Sequence, residues 1–381
     1  MKYIRMATTL LLVAYVSISS IEIKAQEKTT KTFDPSFHIG LLTHTYVSVQ
    51  QKGFGSNTAT DNANSWDVAA NLYRARIMMD AKLTERDYIF METELTASIG
   101  MKADKAAAIK ILDAQYDHKF GDFLTVSAGK MLVSHNRNGL QTAATLMAND
   151  FSYYQYPYNM SKDDPLQNDC GRDVGINLNG GFLKNKLKYR LGAFGGRRDF
   201  DKSTSAPIRI VGRLEYNILD IDKYSGTNLG DGKTLTFAGG MDTQGTYVAA
   251  GADAFLDYPL STNGSLTANI AYSYLTGGND PTDKYSFAEL IPEQNIWFAE
   301  LGYYIKSCKL QPWVKFERQD THHKSTTTTV FGGGLNWFFN GYNTNVRLSY
   351  IAMTKGIEQA SGTIKNKTYG QVWLQLQLCL F

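Results

Sequence analysis

The sequence predicts an all-β protein, a transmembrane antiparallel β-barrel of about sixteen strands. From Phe37 onward, apolar residues alternate with polar or small residues in segments of about ten residues, and this period of two is typical of strands. The connections between the segments alternate between short and long, as they do in membrane barrels. Beyond residue 25 no apolar run approaches the roughly 18 to 20 residues of a membrane helix. A membrane-spanning form of this chain must therefore use strands.

Composition and charge narrow the classes of protein that the chain can represent. The 381 residues are 43% hydrophobic and include 33 Gly but only 8 Pro, which excludes a disordered or collagen-like chain. Residues 1–25 have a basic start, an apolar centre and small residues before Gln26, the order of a secretory signal peptide. Its removal takes away three basic residues and one acidic residue and lowers the formal charge from +3 to +1, so nothing suggests nucleic acid as a partner. The predicted organisation is a signal peptide (1–25), a short lead (26–35) and a barrel (36–381), exported to the outer membrane of a Gram-negative bacterium.

The phase of each strand predicts which residues face lipid and which face the interior. The segment LYRARIMMDAKL places Arg74 and Arg76 on one face, and the opposite phase would expose both to hydrocarbon at about 2–4 kcal/mol each. The predicted lipid face of this strand is Tyr73, Ala75, Ile77, Met79, Ala81 and Leu83. A later strand is predicted to face lipid with Leu112, Ala114 and Tyr116. The last strand is predicted to point inward with Gln371, Trp373, Gln375, Gln377 and Cys379. The terminal Phe381 suggests a signal to the barrel assembly machinery, although it is one step out of phase with the leucines before it.

The lengths of the connections provide an independent test of the barrel prediction. Short ones are predicted at 84–87, 120–122, 184–186, 306–309 and 340–343, and long ones at 50–65, 134–171, 276–294 and 354–367. Two connections depart from this alternation, 218–234 being long and 242–246 short, and we interpret them as a decorated turn and a clipped loop. A soluble secreted β protein would show no such alternation and would have shorter strands. Aromatic residues near strand ends, Trp66, Trp297, Trp337 and Trp373, are further predicted to form girdles at the membrane interfaces.

Several segments resemble the phosphate-selective porin O and P family of outer-membrane porins. They are YRARIMMDAKL with YIFMETEL, then IKILDAQYDHKFGDFLTVSAGK, then GRDVGINLNGGFLKNKLKYRLGAFGG, and less closely GGGLNWFFNGYNTNVRLSYIAM. The resemblance implies a sixteen-stranded barrel, usually trimeric, that passes small anions. The family usually has a lysine and then a proline where this chain has Leu132 and Ser134, so the resemblance supports the fold more than a phosphate specificity.

The longest connection, Ser134 to Gly171, is the third loop at the outward end of the barrel. We expect it to fold into the lumen, as the corresponding loop does in general porins. Its tyrosines could pack on the water-exposed inner surface of the barrel, and its aspartates could place charges at a constriction. The candidate constriction residues are Asp150, Tyr153, Tyr154, Asp163, Asp164 and Asp169. The alternative is an exposed loop that makes surface or trimer contacts.

Charged residues that point inward would determine the selectivity of a pore. The candidate pore-lining residues are Arg74, Arg76, Lys82, Glu92, Glu94, Arg190, Arg209, Arg213, Lys315 and Arg347. Basic and acidic inward residues are comparable in number, so anion preference requires the arginines to gather at the narrow point. The alternative is a wall of arginines paired to Glu92, Glu94 or Glu215, which would stiffen the barrel and select nothing.

The sequence suggests neither a metal site, a cofactor nor a catalytic site. The six histidines lack metal-ligand spacing, and the three cysteines are scattered. Nucleophile elbow, P-loop and dinucleotide fingerprints are all missing from the sequence. The predicted function is passive diffusion of small hydrophilic solutes, with anions such as phosphate as candidates and outer-membrane lipid as the surroundings. The alternatives are a receptor or adhesin that does not conduct and, less favoured, a barrel hydrolase whose triad is assembled only in space.

Overall fold

The protein folds into a closed barrel of sixteen antiparallel strands. The computed structural model describes residues 33–54, 65–96, 108–155, 171–198, 206–322, 326–358 and 364–380. The first eight strands are β1 (Ser36–Gln51), β2 (Trp66–Lys82), β3 (Asp87–Thr96), β4 (Ala108–Gly121), β5 (Leu124–Leu132), β6 (Arg172–Phe182), β7 (Leu187–Phe194) and β8 (Arg209–Asn217). The second eight are β9 (Thr234–Gln244), β10 (Tyr247–Ser261), β11 (Gly264–Thr276), β12 (Gln294–Ile305), β13 (Leu310–Thr321), β14 (Thr326–Tyr342), β15 (Thr344–Glu358) and β16 (Ile364–Leu380).

Each strand pairs with its neighbours in sequence, and β1 closes the barrel by pairing with β16. Closure satisfies the backbone hydrogen bonds of both end strands and leaves no exposed sheet edge. The predicted fold class and strand number are thus confirmed. Among the described residues, no helix has the length and apolar character needed to cross a membrane.

The outer surface of the barrel is apolar and its inner surface is polar, as the period of two predicts. On β16 the outward leucines from Leu374 to Leu380 are between 41% and 65% exposed, whereas the inward Gln375 and Gln377 are fully buried. Trp66, Trp297 and Trp337 are about half exposed on the outer surface, but Trp373, predicted for the same girdles, is 8% exposed and faces the interior. An outward apolar band with a polar inside is the arrangement of barrels that lie in lipid.

Two residues were predicted on the wrong side, and both lie at β-bulges. The register between β1 and β2 shifts between His44 and Thr45, which leaves Tyr73 as the extra residue of β2. The Tyr73 hydroxyl therefore reaches into the interior. A second shift, between Glu92 and Thr93 of β3, makes Leu112 the extra residue of β4, and Leu112 is fully buried.

The two ends of the barrel differ in the lengths of their connections. At one end, the turn end, six pairs are joined by four residues or fewer: β2–β3, β4–β5, β6–β7, β10–β11, β12–β13 and β14–β15. The other end, the loop end, carries the third loop, which we define as residues 133–171. The two predicted departures from alternation are present: a long segment at the turn end, residues 218–233, and a two-residue connection at the loop end, residues 245–246. The loop end has two further short connections, residues 322–325 and residues 359–363, and the second was predicted to be long, at 354–367, because β15 and β16 extend further than expected. We call residues 218–233 the turn-end segment.

The apolar core lies inside the barrel, where the third loop packs against inward strand residues. Leu146 and Phe151 of the loop pack with Leu42, Met78 and Cys379. A second cluster contains Met147, Ala148, Trp313, Val330, Ile351 and Met353. Since burial of one large apolar side chain contributes about 1.5–3 kcal/mol, these contacts give the loop a defined position in the lumen. The predicted infolding of the third loop is confirmed for its described part, residues 133–155.

Candidate functional site

The candidate site is the interior of the barrel, and its first component is the third loop. Arg347 of β15 donates hydrogen bonds to the backbone oxygens of Ala148 (3.1 Å) and Ala144 (3.3 Å). Lys315 of β13 donates to the backbone oxygen of Phe151 at 3.0 Å. All three loop carbonyls are thus held by inward cations of strands far from β5, where the loop begins. The loop crosses the lumen.

Glu317 of β13 anchors the loop at its predicted constriction residues. Its carboxylate accepts hydrogen bonds from the Ser152 hydroxyl (2.7 Å) and from the backbone N–H groups of Tyr153 (3.0 Å) and Tyr154 (3.2 Å). Lys315 pairs with the same carboxylate at 2.8 Å. Burial in the apolar clusters raises the pKa of Tyr153 and Tyr154, so both phenols stay neutral. This part of the loop is fixed to the wall and does not project freely.

Asp150 connects the loop to β2. Its carboxylate accepts a hydrogen bond from Arg74 at 2.8 Å and another from the Tyr73 hydroxyl at 2.6 Å. Arg74 also lies 3.2 Å from Nδ1 of His44. The bulge at Tyr73 makes this arrangement possible because it turns two consecutive side chains to the same side of β2.

Arg76 belongs to a separate buried network next to Arg74. Its guanidinium donates to Glu92 at 2.8 Å and to Glu94 at 2.5 Å. Glu92 also pairs with Arg172 at 3.0 Å, and Arg172 contacts Asp113 at the same distance. Arg76 is therefore neutralised by the glutamates that the sequence offered as its alternative partners.

Arg209 and Arg213 of β8 are each paired to an aspartate on a neighbouring strand or the next one. Arg209 donates to both oxygens of Asp242, at 2.9 and 2.5 Å. Arg213 donates to both oxygens of Asp253, at 2.6 and 2.9 Å. All four side chains are 1% exposed, and such buried bidentate pairs are geometrically specific.

These contacts divide the interior into two surfaces. We call the inward residues of β8–β16, β1 and β2 beneath the third loop the covered wall, because their charges are paired to each other or to the loop. We call the inward residues Thr125, Asn179, Lys188 and Arg190 the open wall. With Ile221 of the turn-end segment and the exposed Lys119–Asp122 pair, they border a cavity of about 300 Å³ at the turn end.

The open wall presents cationic groups to this cavity. Lys188 lies 3.5 Å from Glu215 and 4.9 Å from the centroid of the Tyr224 ring, and Arg190 lies 5.4 Å from the same centroid. Within the described part of the chain, Arg190 has no carboxylate partner. Both side chains are partly exposed, so their charges are accessible to a small anion in a way that those of the covered wall are not.

The turn-end segment contacts the third loop inside the barrel. Arg137 of the loop donates to both oxygens of Asp222, at 2.6 and 2.9 Å. Burial disfavours the charged form of Asp222, but the Arg137 charge and hydrogen bonds outweigh it and hold the pKa of Asp222 below its usual value. The lumen is narrowed by two segments, one from each end.

The remaining predicted residues are accounted for as follows. Lys82 is exposed at the turn end of β2. Asp163, Asp164 and Asp169 lie outside the described residues, as do Phe381 and the predicted signal peptide. Sequence reasoning missed the charged residues Arg137, Asp222, Asp242 and Glu300. The phase of β12 would have found Glu300, which follows Trp297 by three positions; the loop residues had no periodic signal.

A buried Ser–His contact is relevant to the hydrolase alternative. Oγ of Ser273 lies 3.3 Å from Nε2 of His135, but the Ser273 hydroxyl donates to Gln155 at 2.6 Å. Burial beneath the third loop lowers the pKa of His135 to about 4. Both residues are at most 3% exposed, so the pair is inaccessible to a substrate. The described residues contain no group of three or more metal-ligating side chains.

Comparison with known proteins identifies the fold. The sequence matches no protein-family model and no curated protein. Solved structures do match. The anion-selective porin from Comamonas acidovorans has 10% sequence identity and a TM-score of 0.59, over 91% of this chain and 100% of that one. OmpF of Salmonella typhi, in complex with daunomycin, has 12% identity and a TM-score of 0.59, over 90% and 97%.

A third match is an in-vitro folded trimer form of OmpT, an outer membrane protein of Vibrio cholerae. It has 10% identity and a TM-score of 0.54, over 91% of this chain and 99% of that one. The structural similarity extends over nearly the full length of each of the compared chains, although their sequences are only 10–12% identical to this one. The chain has the sixteen-stranded barrel fold of the outer-membrane porins.

Proposed function

We propose that the protein is an outer-membrane porin that lets small hydrophilic solutes diffuse through its barrel. The observation that carries the proposal is a closed barrel, apolar outside and polar inside, whose third loop is folded into the lumen. An apolar outer band suits lipid, and a polar interior suits water and dissolved solutes. Residues 1–25 would direct export and be removed, and the barrel assembly machinery would insert the chain.

We further propose a homotrimer and a modest preference for anions, phosphate among the candidates. The trimer form of the V. cholerae protein and the anion selectivity of the Comamonas porin make both reasonable for this fold. In this chain the cations of the covered wall are paired, so the preference would arise at Lys188 and Arg190 on the open wall. The short motifs shared with the phosphate-selective porin O and P family point in the same direction.

Bilayer recording tests the proposal. Purified protein in a planar bilayer under a potassium chloride gradient should give discrete current steps and a reversal potential on the anion side. Added phosphate should reduce the chloride current if the anions share a site. Heat-unfolded protein in the same detergent is the control.

The narrowed lumen also suits a receptor or adhesin that does not conduct. Folded, inserted protein that gives no current steps would favour that function and contradict the channel. Hydrolysis is disfavoured by the burial of the Ser273–His135 pair.

A further inference from the structure

The turn-end segment is an unusual feature of this barrel because it crosses the lumen at the end where connections are otherwise short. On the near side, the Thr227 hydroxyl and the Asn228 N–H both donate to Asp257 of β10, the strand next to β9, at 3.1 and 2.9 Å. The Tyr342 hydroxyl, at the end of β14, donates to the backbone oxygen of Thr227 at 2.6 Å. The segment thus runs from β8 across to β10 and β14.

The segment also grips the third loop at two points. The first is the Arg137–Asp222 pair, in which both side chains are at most 1% exposed, and Arg137 donates a further bond to the backbone oxygen of Ser225 at 2.6 Å. The second is a backbone hydrogen bond from the Gly226 N–H to the oxygen of Thr145 at 2.7 Å. Two covalently distant segments, one from each end of the barrel, meet inside it.

The contact between the two segments requires a glycine at position 226 and positive φ angles at nearby residues on either side of it. A Cβ on Gly226 would lie 2.4 Å from the backbone nitrogen of Met147 and 2.5 Å from the oxygen of Thr145, closer than atoms can approach. Tyr224 and Leu229, on either side of the contact, have φ angles of 58° and 53°, which side chains normally disfavour. Such conformations persist where the surroundings impose them, and they often mark functional contacts.

We propose that the turn-end segment is a second constriction element, and that the clasp formed by Arg137, Asp222, Thr145 and Gly226 holds the third loop across the lumen and sets the size of the pore. The inference rests on the proposed channel function but concerns a different part of the molecule from the open wall. Solutes would pass beside the two linked elements, and releasing one element would free the other. The clasp acts through position, since its charges are buried and paired.

Asp222→Asn tests the clasp with little change of shape. Loss of the charge leaves Arg137 buried beside a neutral amide, which weakens the contact. The expected result is a unitary conductance roughly two-fold larger than that of the unchanged protein, because the narrowest section of a pore limits its current. Asp231→Asn is the matched control: Asp231 lies in the same segment but is exposed on its outer side and pairs only weakly, with Lys306 at 3.4 Å. Equal conductance in all three proteins would overturn the proposal.

A second variant and a second readout keep the two proposals separate. Gly226→Ala retains the ion pair and separates the backbones, so it should also widen the pore if Asp222→Asn does not fold. Amide exchange of residues 136–148 should become about ten- to hundred-fold faster in either variant, since a lost buried contact promotes local opening. If neither the unchanged protein nor any variant conducts, the proposed channel function is wrong. The amide-exchange rates alone then test whether the clasp holds the third loop. Faster exchange in both segments would support it, and exchange identical to that of Asp231→Asn would overturn it.

Discussion

Arg190 and Arg213 are cross-strand neighbours on β7 and β8, yet they have different surroundings. Arg213 lies under the third loop, has a side chain that is 1% exposed, and donates from both its terminal nitrogens to Asp253. Arg190 lies at the edge of the loop, is partly exposed, and contacts the ring of Tyr224. Both residues are arginines, they lie opposite each other on paired strands, and both point inward.

The difference teaches that direction alone does not assign a role to a charge inside a barrel. On the covered wall each arginine binds a carboxylate or a loop carbonyl, and Arg74, Arg213 and Arg347 thereby hold the loop in place. On the open wall the cations border a cavity of about 300 Å³ at the turn end. We therefore expect changes on the covered wall to lower stability, and to alter ion flow only where they leave several carboxylates without partners, whereas changes on the open wall should affect ion flow with little loss of stability.

The largest expected contrast is between Arg213→Ala and Arg190→Ala. The first leaves Asp253 buried without its partner and should lower the free energy of unfolding by about 3–5 kcal/mol. The second removes an exposed charge and should cost less than about 1 kcal/mol. Denaturant unfolding in detergent, followed by tryptophan fluorescence, measures both. Equal losses would remove the distinction between the two walls.

A second contrast depends on pH and concerns His135, at the start of the third loop. Burial lowers the pKa of His135 to about 4, so His135 becomes protonated at a lower pH in the folded protein than in the unfolded chain. Because the unfolded chain then holds more protons between about pH 6.5 and 4, stability should fall by up to about 3 kcal/mol as the pH decreases through this window.

His135→Asn should remove that component of the pH dependence. The quantity to compare is the change in unfolding free energy between pH 7 and pH 4.5 for the two proteins. Equal slopes would show that His135 is not buried as a neutral group, and hence that the loop does not cover this part of the wall.

The third contrast concerns selectivity on the covered wall. In the double variant Arg74→Ala/Arg76→Ala, Asp150, Glu92 and Glu94 lose their partners, so the interior becomes more negative. The anion-to-cation permeability ratio should fall by a few-fold, on the order of three. Lys82→Gln, at the exposed end of the same strand, is the matched control. An unchanged reversal potential in the double variant would contradict a role for these charges.

The smallest expected effect is on the open wall itself. Lys188→Gln/Arg190→Gln should lower the permeability ratio by about two-fold, because it removes two accessible cations without leaving a fully buried acid unpaired. The unfolding free energy should change little. Lys306→Gln, on the outside of the turn end, controls for net charge. A large loss of stability in the open-wall variant would mean that these residues hold the fold together.

The strand number and the inward and outward faces could be predicted because a period of two leaves few choices for a strand between lipid and water. The infolded loop could be predicted from the length and composition of its connection. The predictions failed where the period is broken. Tyr73 and Leu112 are bulge residues, and a bulge reverses the phase without a clear signature in the sequence. Asp242 was missed because β9 was predicted to end at Met241, whereas it continues to Gln244.

The clasp could not be predicted from the sequence. Arg137 and Asp222 lie in two connections 85 residues apart, and neither connection has a repeat that would indicate its path. The partners of Arg74, Arg209 and Arg213 were also unpredictable, because pairing depends on strand register and on where the loop lies. Sequence identified many of the inward charges, and only the three-dimensional arrangement showed which of them are neutralised.

Cysteine accessibility tests the division of the interior most directly. In a background with Cys170, Cys308 and Cys379 replaced by serine, Asn179→Cys places a thiol on the open wall and Ser273→Cys places one under the third loop. A charged methanethiosulfonate reagent should react with Asn179→Cys and reduce its channel current, and should leave Ser273→Cys unmodified. Reaction at Ser273→Cys with none at Asn179→Cys would contradict the account.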